Sequence, residues 1–357
     1  MNEGIFGIAY GAVLKAFRTR IKYGQGASKV NFETVVLGTT DTTTGMLRSP
    51  GGAAPALNYA DLVLQVPYIA GRRGQTAIAC GALSLQVPDG GLLGGNRRGL
   101  NAVDFQTFRS NAAMVASGQY SVIGGGRENR ASGYCDSVFG GTLNIASGQY
   151  SFVGGGGSNQ TTNSYACVIG GNANVASGPS STILGGVNNL ASGTNSLVGG
   201  RGSSDRGTSG TFCFTGLNRA AAGDRNNRLV SQCAVPTNAT PVVLTTTGGA
   251  VAAAELWTLA NNMSATFRGQ ISARNTTTNE TIAWEFVGVL KRGANAASTA
   301  LQTAVTPVVI GTADAAMTAC TLAVGVNTTH GGLAITFTGL AATTISVNGR
   351  LDCSENG

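Results

Sequence analysis

The sequence predicts a mainly β protein in which a stacked parallel β-roll joins an irregular N-terminal attachment domain to a C-terminal antiparallel β-sandwich. Three observations carry this. A motif returns about every 15 residues between residues 111 and 200. Apolar and polar residues alternate with a period of two across much of 233–357. Glycine is abundant, at 54 of 357 residues, while charged residues make up only 11 %. A fixed short period signals a solenoid, with one coil per repeat stacked on the next.

Residues 1–110 read as a small attachment domain. Phe6, Tyr10, Val13, Leu14, Phe17 and Ile21 recur at helical spacing and suit either an amphipathic docking helix or an extended arm. Strand-like runs follow at 32–37, 62–66 and 76–79, with turn clusters at 49–52 and 89–91. This region holds 11 Lys/Arg against 6 Asp/Glu, most of the net charge of +7. The excess suits an acidic partner but is too dilute for a nucleic-acid patch. The apolar stretch near the N-terminus has its acid before it and its bases after it, the reverse of a secretion leader. No run is long and apolar enough to predict membrane insertion.

Residues 111–200 read as the roll. Ala-Ser-Gly recurs at Ala116, Ala131, Ala146, Ala176 and Ala191, with Thr161-Thr162-Asn163 filling one slot. Asn129, Asn144, Asn159, Asn174 and Asn189 each stand two residues before a slot and are expected to form an amide ladder from coil to coil. Short apolar pairs ending in Gly-Gly lie between the slots. Neighbouring strand residues face opposite sides, so one member of each pair should fill the roll and the other should line its outside. Aligned on the Gly-Gly, the inner ladder is Val122, Val138, Phe152, Val168, Ile183 and Leu197. The outer ladder, a candidate interface with other copies of the chain, is Ile123, Phe139, Val153, Ile169, Leu184 and Val198. From residue 137 to 200 there is no charged residue, which fits burial of this stripe against another copy.

Residues 201–232 read as a connector, or neck, where the repeat stops and charges return. Residues 233–357 read as strands. Met263, Ala265, Phe267, Gly269, Ile271 and Ala273 alternate with polar residues, as do Ile282, Trp284 and Phe286, then Leu333, Ile335 and Phe337. Strands at this spacing predict an antiparallel sandwich with Trp257 and Trp284 in its core.

Sequence motifs for chemistry are few. The chain has no P-loop, HExxH or GxSxG, and its seven cysteines form no CxxC. No catalytic residue, metal or cofactor is assigned. The single histidine, His330, reads as a surface turn residue, with a metal shared between copies as the lesser alternative. Glu128 and Asp136 are the acids of the repeat, and Asp136 reads as part of a one-residue insertion. Paired carboxylates between chains would be the requirement for glycan cleavage.

The coil motif, Ser121-Val122-Ile123-Gly124 with Asn129-Arg130-Ala131-Ser132-Gly133, resembles the left-handed parallel β-roll of trimeric autotransporter adhesin heads. The residues leading into it (Gly95-Asn96-Arg97-Arg98-Gly99-Leu100-Asn101) and the strand pair around Phe267-Arg268-Gly269-Gln270-Ile271 and Trp284-Glu285-Phe286 are similar to tail fibre and tailspike proteins of tailed bacteriophages. That resemblance implies a homotrimer with a left-handed roll as shaft. Residues 1–110 would dock on a phage tail, baseplate or adaptor protein, and residues 233–357 would recognise a host surface glycan or protein. It implies a virion protein made in the host cytoplasm, with receptor contacts unassigned. A glycan-cleaving tailspike and a trimeric capsid decoration protein are the alternative readings.

Overall fold

The computed structural model describes residues 82–85, 90–92, 94–215 and 226–356, all within one compact unit, Ala77–Gly357. The predicted docking segment and the strand-like runs at 32–37, 62–66 and 76–79 lie outside the described residues. The protein is mainly β. Among the described residues there is no α-helix, only three single-turn 3₁₀ segments.

The solenoid has about eight turns of about 15 residues. Its longest ladder stacks Val122–Ile123, Ser137–Val138, Phe152–Val153, Cys167–Val168, Thr182–Ile183 and Leu197–Gly200 in parallel. The register is strict: Ile123 pairs with Val138, then Val153, Val168, Ile183 and Val198 follow. A second ladder stacks Arg130–Ala131, Ile145–Ala146, Gln160–Thr161, Val175–Ala176 and Leu190–Ala191. A third face is held by single bridges, Arg127 to Thr142, Gly157, Asn172 and Val187 in turn.

The coils extend past the repeat motif at both ends. Ala82 pairs with Ala102 and Val103 with Val122, so the first two coils are 20 and 19 residues long. At the other end, Leu197 pairs in parallel with Phe212. The motif lapses at both ends because ladder pairing needs only matched strands, and in the first two coils the corners are longer as well.

Each coil is closed by small groups. Gly156 stands at φ +83°, where a side chain is strained, and a Cβ there would lie 2.0 Å from the carbonyl oxygen of Gly171. The neighbouring asparagine fills the remaining space. Asn159 donates to the carbonyls of Gly155 (2.8 Å) and Gly171 (2.9 Å), and its Oδ1 accepts the backbone N–H of Asn174 at 3.1 Å. Asn129, Asn144, Asn174 and Asn189 repeat this arrangement, all buried. The expected amide ladder is therefore present, and it satisfies corner carbonyls that packing has removed from water.

Below the roll, the same sheet continues without a break. Thr211–Thr215 pairs antiparallel with Asn227–Ala234, followed by Ile345–Asn356, Met263–Asn275 and Thr281–Arg292. A three-stranded sheet of Val242–Val243, Gly332–Thr338 and Thr321–Asn327 faces it. Phe267, Ile271, Trp284 and Phe286 meet Leu244, Leu322, Ile335 and Phe337 in one core. Trp284 packs edge-on to Phe337 at 6.0 Å, and Trp257 is fully buried. Both tryptophans are core residues, as expected, with Trp284 on an alternating strand and Trp257 between strands.

Candidate functional surface

The register divides the six candidate interface residues. Ile123, Val153 and Val198 are fully buried inside the roll, while Phe139, Ile169 and Leu184 are exposed at 72, 52 and 47 %. The expected inner ladder divides in the same way: Val138, Val168 and Ile183 are inside, and Val122, Phe152 and Leu197 are only half-buried. The physical reason is that corner lengths vary in glycine count. Coils with Gly124-Gly125-Gly126 and Gly154-Gly155-Gly156 start their glycines one residue earlier than those with Gly140-Gly141 or Gly170-Gly171. Aligning on the first Gly-Gly therefore slips the phase by one, and a slip of one reverses every face.

Counted strictly, each inward residue is flanked by two outward positions. The position before it reads Val122, Ser137, Phe152, Cys167, Thr182, Leu197. The position after it reads Gly124, Phe139, Gly154, Ile169, Leu184, Gly199. Every coil thus carries one large apolar group on this face, and the flanking residue is small. Phe152 leans over its glycine: a Cβ on Gly154 would lie 3.3 Å from the ring. Phe105 at 40 %, Phe212 at 41 % and Phe214 at 49 % extend the stripe above and below. The result is a continuous apolar ridge with glycine hollows along one sheet of the roll. The missed members were recoverable by counting in fifteens from Ile123 instead of aligning glycines.

The acids of the repeat do not gather on a surface. Asp136 is fully buried and stands in register with Ser121 and Ser151, so it replaces a serine rather than belonging to an insertion. Its carboxylate accepts from Gly133 N (2.7 Å), Ser151 N (2.9 Å) and Ser151 Oγ (2.9 Å). Burial raises its pKa, and those hydrogen bonds oppose the rise. Glu128 lies at a different corner, 3.7 Å from the Arg127 guanidinium. His330 sits in its predicted turn, its backbone N–H on Asn327 Oδ1. Among the described residues no three His, Cys, Asp or Glu side chains group as metal ligands.

Two buried ionic clusters close the roll. At the top, Asp104 faces Arg98 (2.9 Å) and Arg109 (3.6 Å). At the bottom, Glu355 of the sandwich meets Arg228 at 3.0 Å and Arg206 at 2.6 Å, and accepts the Trp257 indole N–H at 2.9 Å. Arg228 also donates to Asp205 O and Thr208 Oγ1, which ties the last coil to the sandwich. Cys213 lies in this cluster, and burial pushes its thiol up to about 12 although Arg228 opposes the shift.

No family model matches the chain, and no curated protein does. Among solved structures, the chain is similar to the tailspike protein of Acinetobacter baumannii phage AM24. The identity is 10 % and the TM-score 0.17, over 77 % of this chain. The match spans 56 % of that tailspike. A score this low does not define a shared fold, and the coil geometry stands on the register alone.

Proposed function

We propose that the chain is a structural protein of a tailed bacteriophage, a tail fibre or short tailspike, that assembles as a homotrimer, joins the tail through residues 1–110 and recognises the host cell surface. The roll is its stiff shaft, and the sandwich carries the receptor-binding tip. The observation that supports this best is the apolar ridge. A ridge of one large apolar group per coil, running along a shaft that carries no charged residue from 137 to 200, is costly to leave in water. Its alternation of knobs (Phe139, Ile169, Leu184) with glycine hollows (Gly124, Gly154) suits interdigitation with copies of itself. A closed ring of identical chains covers such a ridge fully, whereas an open stack leaves one unpaired. The sequence likeness to tail fibres and tailspikes supplies the biological setting.

Light scattering on the full-length protein tests the assembly. Three chains of 35.9 kDa are expected. The Phe139→Asp/Ile169→Asp variant, which alters only the outer face, should run as one folded chain with unchanged circular dichroism. A monomeric wild type would remove the main support for the shaft reading. Antibody labelling of intact particles tests the setting: label at the tail is expected, and label on the capsid or on no particle would overturn it.

A further inference from the structure

One feature of the roll is used by neither its core nor its apolar ridge. Tyr120, Tyr134, Tyr150 and Tyr165 stand on one corner of four successive coils, with ring centroids 5.7, 5.4 and 5.3 Å apart. They are exposed at 42, 39, 47 and 61 %. These four are half of the chain's eight tyrosines, and no tyrosine follows them.

The corner is not one that favours tyrosine. Tyr120, Tyr150 and Tyr165 all hold φ between 57 and 59°, a conformation that a bulky residue adopts at a cost. Asn195 occupies the same corner three coils below Tyr150, at φ 56°, and Asn188 occupies another corner at φ 57°. Asparagine takes this conformation more readily, so local backbone preference does not account for the rings. Packing accounts for them only in part. Neighbouring planes are turned by 87° and 76° in the first two pairs, and only Tyr150 and Tyr165 lie parallel, at 4°. A large part of every ring stays in water.

The polar surroundings narrow the ligand. Gln119 and Gln149, both exposed, immediately precede Tyr120 and Tyr150 on this corner, and Ser164 precedes Tyr165, so neutral polar groups stand beside three of the four rings. Tyr150 and Tyr165 lie in the stretch 137–200, which holds no charged side chain. In the upper coils Arg127, Glu128 and Arg130 stand beyond the apolar strand from Tyr120, and Asp136 is fully buried. A row of adjoining aromatic rings, edged by neutral hydrogen-bonding groups and repeating at about the length of a sugar unit, has the chemistry of a carbohydrate platform. Ring faces and edges meet the C–H faces of pyranoses, while amides and phenols meet their hydroxyls. The corner lies two residues before the apolar strand in each coil, outside the ridge.

We infer that this tyrosine row binds a neutral polysaccharide lying along the shaft. This deepens the proposed host-surface recognition and moves one glycan contact from the tip to the shaft. The test is capture of full-length protein on an array of purified neutral and acidic bacterial surface polysaccharides, beside the Tyr150→Asn/Tyr165→Asn variant. Asparagine is chosen because the fold already accepts it in this conformation. Wild type should hold at least one neutral polysaccharide, insensitively to salt, and the variant should lose that binding by about tenfold or more while unfolding at the same temperature. Undiminished binding by the variant, capture of acidic chains alone, or no capture at all would overturn the inference. If the variant unfolds early, saturation-transfer NMR from the tyrosine ring protons of wild type to the captured sugar reads the same contact, and its absence counts against the row. Adsorption to host cells separates the two readings. A tail-located protein whose variant adsorbs normally sinks the row alone; a protein absent from tails sinks the phage reading and leaves the array result standing.

Discussion

At the scale of single residues, Asp136 shows how one substitution within a repeat changes its chemistry. A carboxylate occupies a buried slot that serine fills in the coils above and below. The folded protein therefore holds the carboxyl proton more tightly than the unfolded chain, whose carboxyl titrates near its ordinary value of 3.8. Stability from this group is greatest at low pH and falls as pH rises from that value through the raised folded one. The variant Asp136→Ser should be at least as stable as wild type at pH 7, with its advantage shrinking on acidification through the carboxylate range. Melting temperatures of both proteins measured across that range check this. A second expectation concerns the thiols. Burial lifts Cys213 to about 12 and Cys353 well above its ordinary value, so neither offers a thiolate near neutrality. A thiol-reactive reagent should modify Cys213 and Cys353 only after denaturation, as peptide mapping of native and unfolded protein will show. Asp136 also marks a limit of sequence reading. The residue was visible as an acid in the repeat, but its burial depended on the register, which the varying glycine count obscured.

At the scale of the element, the roll is held by ladders rather than by a thick core. Asn159 sits in the middle of one, and its removal takes the side-chain partner from the carbonyl of Gly155 and from the N–H of Asn174, while the carbonyl of Gly171 keeps the Gly157 N–H. Each buried group left unpaired costs about 1–3 kcal/mol, so Asn159→Ala should destabilise by about 3 kcal/mol, more than a surface substitution of the same size. Chemical denaturation of the two proteins measures this. The coil length and the asparagine ladder were legible because both rest on identities that recur in phase. The apolar pairs were legible as strands, but the side each member faces was not. Val122 and Val138 look equivalent in sequence, yet one lies on the surface and the other inside, because the number of glycines at the corner differs. The first two coils were hidden for a related reason: their 19- and 20-residue lengths leave no fixed period to detect. The tyrosine row obeys the 15-residue count at Tyr120, Tyr150 and Tyr165, and that spacing was the signal available for it.

At the scale of the whole molecule, the alternation within 263–275 and 281–292 gave the sandwich faces correctly, since a two-sided sheet writes its burial directly into every second residue. What no local pattern announces is the junction, where Glu355, near the end of the chain, closes on Arg206 and Arg228 from the last coil and first antiparallel strand. Glu355→Gln leaves two buried guanidiniums poorly compensated and should cost about 3–5 kcal/mol. Trp257 fluorescence, which reports the indole bonded to Glu355, should change with it; an unchanged denaturation midpoint would show that the cluster does not hold the junction. The sheet that runs unbroken from coil to sandwich has a mechanical meaning as well. Its ladder bonds, such as Phe139 N to Val153 O at 2.9 Å and Ile169 N to Ile183 O at 3.0 Å, point along the stacking direction. Tension along that direction loads them in series and can open the stack one coil at a time. Compression presses the same coils together. The coil stack is thus a strut that resists being pushed far better than being pulled.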